Sequence, residues 1–442
     1  MNFGRDRGIG GARMGGPRGL ASGRELDYRA LGSRGLTPVR PAIGFRGVRT
    51  ANPVIRSRSL WRRAWAKDSV LRQMDWVLTI TVLALALLGT LLVWSATEPA
   101  LRQSGGSLYA YLDKQLLNVA IGIVLMAAVT FVDSRVLRIW APFAYAAACL
   151  GLLAVFTPLG TTVNGAHSWI ALPGGFQIEP SEYAKIGLIL LIAVIFDQAH
   201  GRAGLTARPR ARQLLLVLAC SVPVLAEVMA EPALGVAIVL MAVVAGMIAL
   251  SGLRARWFAG LTAAGVLGAY AMWSMHVLKP YQVERLTSFV NPSANPLGAG
   301  YSAAQAKIAI GSGGMFGQGL FHGQLVAGNF VPSQPTDFIF TVAGEELGFV
   351  GSITIIVLLG LLIFRALRIA SRAEDLFGLL VASGIAIWFS VQAFINIGMT
   401  IGIAPVTGIP LPFVSYGGSA MFADMIAIGV LQSVHRRHRV FG

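Results

Sequence analysis

Apolar residues in this chain gather into long uninterrupted runs instead of alternating with polar ones. Ten runs can be marked, near 76–95, 115–132, 138–157, 183–197, 213–230, 234–251, 257–277, 337–364, 377–400 and 414–433. A bilayer core about 30 Å thick needs roughly 20 apolar residues in helical form, and helices satisfy every backbone group within their own segment there. The pattern predicts an all-α integral membrane protein, a bundle of ten transmembrane helices with a large loop between helices 7 and 8. That loop, His276 to Asp337, is the long stretch outside the N-terminal arm that is too polar to span. Connections much longer than about 15 residues are usually functional or disordered. This one carries Phe, Tyr, Ile, Leu and Val throughout, with Gly at 298, 300, 311, 313, 314, 317 and 319, which reads as a folded loop with tight turns.

Composition agrees with a membrane protein, since 55% of the residues are hydrophobic and 13% charged, about half the charge of a soluble domain. The net charge of +16 would suit nucleic acid, but its placement argues against that partner. Residues 1–70 form an Arg/Gly/Pro-rich arm, expected to be disordered, and residues 71–442 form the membrane domain. Beyond the arm, Arg135, Arg138, Arg202, Arg208, Arg210, Arg212, Arg254, Arg256, Arg365, Arg368, Arg372 and Arg436 all fall in alternate connections, on one side of the predicted bundle. By the positive-inside rule both termini are cytoplasmic and the 276–337 loop is extracytoplasmic. The arm either stays solvated or binds anionic membrane lipid. Cys149 and Cys220 lie inside apolar runs and suggest neither a disulfide framework nor a metal site.

Charged groups inside apolar runs are costly and usually functional. Glu182 and Lys185 are three apart near the start of one run and share a helix face. Glu227 and Glu231 are four apart at the outer end of another, ahead of Pro232. Asp337, Glu345 and Glu346 open the run after the large loop, with Asp337 suited to a first helical turn. Lys279, Arg285 and Lys307 are the loop's Lys and Arg residues, and Tyr281, Tyr301 and Gln305 can supply directional hydrogen bonds. His167 stands in the shorter outer loop at 158–182.

Five stretches carry a family resemblance: VNGAHSWI (163–170), FQIEPSEYAKI (176–186), NPLGAGYSAAQAKIAIGSGGMFGQG (295–319), TDFIFTVAGEELGFVGS (336–352) and GIAPVTGIPLPFVSYGGSAM (402–421). Together they closely resemble the SEDS family (shape, elongation, division and sporulation proteins, the RodA and FtsW group). The resemblance implies ten helices, a large extracytoplasmic loop after the seventh, and polymerisation of lipid II into glycan strands beside a class B penicillin-binding protein. The sequence identifies no certain cofactor and leaves a divalent cation open. Such a transfer needs a carboxylate to take a proton from the attacking sugar hydroxyl, and cations for the departing pyrophosphate. Lys185 is then a pyrophosphate or loop contact, and Lys185, Arg285 and Lys307 are expected to approach one outer cavity.

The chain departs from the family pattern at the centre of that chemistry. The family's loop motif Asp-Pro-x-Gly-x-Gly-Tyr supplies its catalytic carboxylate, and here that position is Asn295. The family's Gln-Pro-Asp-Leu-Gly becomes Glu231-Pro-Ala-Leu-Gly, and Ser333-Gln334 replaces an acidic and a basic residue. Three readings stay open: Glu284, Glu231 or Asp337 substitutes as base, the loop acid matters less here, or the chain is a non-catalytic scaffold that binds lipid II and a penicillin-binding protein. Transport of a lipid-linked precursor would require a polar path through spans that are mostly dry. A lipid II polymerisation assay in vesicles separates these readings. If the loop acid alone is missing, Asn295→Asp raises turnover by ~10²–10⁴-fold. If another carboxylate serves, wild type is active and the amide of that residue abolishes turnover, whereas a scaffold stays inert in every variant.

Overall fold

The computed structural model describes residues 73–441, apart from 164–165, 172–176, 202–210, 232, 276–279 and 291–297. The basic arm, Lys279 and Asn295 lie outside the described residues. A helix coincides with each apolar run: α1 Trp76–Ser104, α2 Ala110–Thr130, α3 Ser134–Val155, α4 Pro180–Gly201, α5 Ala211–Ala230, α6 Leu234–Leu250 and α7 Ala255–Ser274. The large loop folds into α8 Pro280–Val290, α9 Ala299–Ser312 and α10 Gln324–Ala327, and the chain ends in α11 Ile339–Glu346, α12 Gly348–Ser371, α13 Leu376–Ile401 and α14 Gly418–Phe441. Among the described residues, six helices (α1, α2, α3, α5, α12 and α13) are long and apolar enough to cross a membrane.

Three expectations change. The protein is mostly helical but not all-α, because residues 160–178 form a small antiparallel sheet of β1 Gly160–Val163, β2 Ala166–Ala171 and β3 Gln177–Ile178. Thr and Ile pair across it, Thr161 opposite Trp169 and Ile170 opposite Ile178, side chains that favour pleated structure. The run at 337–364 is two helices, not one. Gly348 interrupts it at φ +68, a left-handed conformation that glycine adopts without strain, and a Cβ there would collide with the backbone of Gly317. Asp337 stands before the N-cap Phe338 of α11, outside its first turn.

Local sequence explains where the main helices begin. The side chains of Asp75, Asp133 and Asp375 accept the amide hydrogens of Leu78, Arg135 and Gly378 at the starts of α1, α3 and α13. α1 and α13 end on left-handed Gly105 and Gly402. The core is built chiefly from α1, α4, α6, α13 and α14, with Leu188, Phe196, Trp388, Phe389 and Phe413 fully buried. Val124, Trp140, Phe143 and Leu150 point outward, apolar surface that a bilayer covers and water would not.

Two polar networks lock one end of the bundle. Gln432 of α14 exchanges hydrogen bonds with the Asp75 backbone, accepting from its N–H and donating to its carbonyl, both at 2.9 Å. The Arg365 guanidinium donates to the Asp75 carboxylate through Nε at 2.9 Å and through Nη2. Arg138 of α3 bridges Asp197 of α4, at 2.8 Å, to the α13 cap Asp375, and its guanidinium lies 4.8 Å from the centre of the Phe377 ring. Breaking a largely buried pair from one side costs ~3–5 kcal/mol. Asp75→Ala, which removes the α1 cap as well as the partner of Arg365, is expected to lower the thermal midpoint of the detergent-solubilised protein sharply. Asp75→Asn, which keeps the cap, is expected to lower it less. Equal midpoints for all three proteins would show that the network carries no stability.

Candidate active site

At the opposite end, α4 opens with Pro180, whose fixed φ suits a first helical position. One turn in, Lys185 Nζ lies 2.7 Å from Glu182 Oε2, and both side chains are 1% exposed. Nζ also donates to Gln392 Oε1 of α13 at 2.9 Å and sits 4.5 Å from the centre of the Trp388 ring. Trp388 Nε1 donates to the same Gln392 oxygen at 2.6 Å. The lysine charge is thus met by an anion, an amide oxygen and a π face, the conditions under which a buried ammonium is tolerated.

Gln392 and Asn396, one turn apart, suspend the segment 402–417 over this hub. Gln392 Nε2 donates to the Pro410 carbonyl at 3.0 Å, and Asn396 Nδ2 donates to the carbonyls of Ile409 and Asp337 at 2.7 and 2.8 Å. Ser415 Oγ accepts from Leu411 N at 2.8 Å and donates to the Thr336 carbonyl at 2.5 Å, while Tyr416 N donates to the Pro335 carbonyl at 2.8 Å. Val414 lies against Gly89 of α1, where any Cβ would strike the Val414 backbone. Buried Asp424 of α14 accepts from Phe413 N at 3.2 Å and lies within electrostatic reach of Glu182 and Lys185.

Cations and carboxyl groups surround the hub. Arg285 of α8 donates to the Thr407 carbonyl at 3.0 Å. Arg285 and Lys307 line one pocket with Ser288, Phe289, Gly402 and Pro405, and Lys307 lies across Gly402. Asp337 is half-buried near Arg285. Burial pushes its carboxyl up to about 6, against the lowering effect of Thr336 and Arg285. Glu179, between β3 and α4, accepts from the Ser181 hydroxyl at 2.9 Å. Burial and the charge of Glu182 raise Glu179 to about 7, with Ser181 and Lys185 opposing. Buried Glu231, between α5 and α6, is raised to about 8 by burial and by the charges of Glu179 and Glu227.

The structure brings together only part of the expected set. Arg285 and Lys307 share a pocket, but Lys185 is not among the residues lining it, because Glu182, Gln392 and Trp388 already occupy its ammonium. Glu284 is half-buried on α8, the helix that carries Tyr281 and Arg285. Tyr301 and Gln305 are half-buried on α9. His167 is engaged in the hairpin, 3.0 Å from the Thr162 hydroxyl. Glu345 accepts from Leu325 N and Val326 N at 2.7 and 3.1 Å, holding α10 against α11. Among the described residues no group of three or more His, Cys, Asp or Glu is placed to hold a metal ion. Sequence reasoning missed Glu179, Trp388, Gln392, Asn396 and Asp424. The signal for Gln392 and Asn396 was available, as two amides four apart inside an apolar run.

The cell cycle protein family model covering FtsW, RodA and SpoVE matches residues 75–440. The peptidoglycan glycosyltransferase MrdB of Escherichia coli K12 is 36% identical over 83% of this chain and 95% of its own. Stage V sporulation protein E of Bacillus subtilis is 35% identical over 83% of this chain and 98% of its own. Among solved structures, a chain of a peptidoglycan synthase complex that coordinates polymerization and crosslinking superposes with a TM-score of 0.68 at 30% identity, covering 83% of this chain and 98% of that one. The crystal structure of the rod shape determining protein RodA of Thermus thermophilus gives 0.60 at 28% identity, covering 83% of this chain and 97% of that one. With most of its length matched in sequence and in fold, the chain belongs to the FtsW/RodA/SpoVE family.

Proposed function

We infer that this protein is a multi-pass membrane glycosyltransferase that polymerises peptidoglycan glycan strands from lipid II, in elongation, division or sporulation. The observation that carries the reading is the convergence at one end of the bundle of a neutralised lysine hub, two further cations beside a pocket, and several carboxyl groups. It rests too on relatives named as peptidoglycan glycosyltransferases across nearly their full length. In this reading all ten apolar runs cross the membrane, both termini are cytoplasmic, and the 276–337 loop faces outward. The partner is a class B penicillin-binding protein that cross-links the nascent strand.

The residues divide the work. The fully engaged Lys185 positions Glu182, Gln392 and the 402–417 segment and makes no direct grip on substrate. Arg285 and Lys307 line their shared pocket and take the pyrophosphate there, whose departing negative charge two cations stabilise more in the transition state than in the bound substrate. A scaffold role is the second reading, favoured by the amide at Asn295, which cannot accept a proton. Polymerisation by the purified chain in lipid II vesicles, with and without a class B penicillin-binding protein, decides between them.

Two outcomes follow. Arg285→Ala and Lys307→Ala are each expected to lower kcat/KM by ~10–100-fold, the loss of one charge-assisted contact, with thermal midpoints near wild type. Unchanged kinetics in both would remove the pyrophosphate assignment. For topology, single cysteines placed at Leu320 and Arg208 are expected to react with a membrane-impermeant thiol reagent from opposite sides of sealed vesicles. Labelling of both from one side would overturn the orientation.

A further inference from the structure

We propose that Glu179, backed by the buried carboxyl of Glu231, takes the proton from the attacking sugar hydroxyl during glycan transfer. The inference rests on the polymerase reading above. Glu179 is fixed at the hub end of the bundle. Its N–H donates to Ser419 Oγ at 2.9 Å, the Ser419 hydroxyl donates back to its carbonyl at 3.3 Å, and the Ser181 hydroxyl holds Oε1 at 2.9 Å. It stands beside the hub, within electrostatic reach of Glu182 and Lys185.

Glu231 supplies the independent observation. It is 1% exposed, and neither carboxyl oxygen has a hydrogen-bond partner. A buried carboxylate without a donor is strongly disfavoured, so Glu231 stays protonated at neutral pH, facing Glu179 and Glu227. Glu179 faces Glu182, Lys185 and Asp337, and Asp424 faces Glu182 and Lys185 in turn. The charge of Glu179 thus acts on Glu231, the arrangement by which neighbouring acids divide acid and base roles. Burial raises both groups, to about 7 and about 8, which leaves Glu179 the more readily ionised of the two. Asp337 is the weaker base, since Arg285 opposite it lowers its proton affinity.

The step balances. The hydroxyl proton of the acceptor sugar moves to the Glu179 carboxylate as its oxygen bonds to the donor's anomeric carbon. The bond from that carbon to the pyrophosphate oxygen breaks, and the lipid pyrophosphate leaves with the electron pair. Glu179 then returns its proton to water.

Because the base must be ionised, turnover is expected to rise with pH across the two ionisations between about 7 and about 8. The test uses the full chain in vesicles with lipid II, over a pH series, with binding of lipid II measured alongside. Glu179→Gln is expected to lower turnover by ~10²–10⁴-fold and to lose the rising limb while lipid II binding persists, and Glu179→Asp is expected to recover at least part of both. Glu231→Gln is expected to reduce the limb to a single ionisation. An active wild type whose Glu179→Gln variant keeps its turnover, a Glu179→Asp variant as inert as the amide, or a Glu231→Gln variant with the wild-type profile would overturn the proposal and leave the polymerase reading standing. A wild type that makes no glycan with or without a penicillin-binding protein would overturn both.

Discussion

The ion pair of Lys185 and Glu182, buried among apolar helices, is the constraint on which the working end of this molecule depends. An ammonium in that setting is stable only if each of its partners is held in place. Gln392 serves the lysine with its oxygen and the Pro410 carbonyl with its nitrogen, so the hub and the 402–417 segment cannot move independently. Asn396 extends the same linkage to Ile409 and Asp337. The path from α4 through α13 to the large loop is one connected set of hydrogen bonds, and the polar residues that break the apolar runs are the ones that make it.

Rigidity at this end is matched at the other, where Asp75 and Arg138 join helices distant in sequence. The helices between can therefore present apolar side chains outward without loosening the bundle. Close packing completes the frame: Gly89 lets α1 touch the backbone of Val414, which fixes the height of the segment over the hub. The charge pattern divides accordingly. The buried pair of Lys185 and Glu182 is internally satisfied, whereas Arg285 and Lys307 line a pocket.

The sequence by itself determined where most of the helices lie, because a bilayer demands apolar runs of a certain length. It also determined the family, through long ordered motifs, and the Glu182–Lys185 pair, because helical spacing puts them on one face. Tertiary structure decided what those rules cannot reach. The small sheet at 160–178 and the break at Gly348 depend on turn geometry and close backbone approach, which leave little mark on hydropathy. The separation of Lys185 from the pocket of Arg285 and Lys307 was settled by Gln392 and Trp388, some two hundred residues along the chain. Glu231 was already a candidate in the sequence, but the surroundings of Glu179 were hidden for the same reason. A carboxyl group's protonation follows from burial and from neighbours far away in sequence, and only the folded chain brings those neighbours to it.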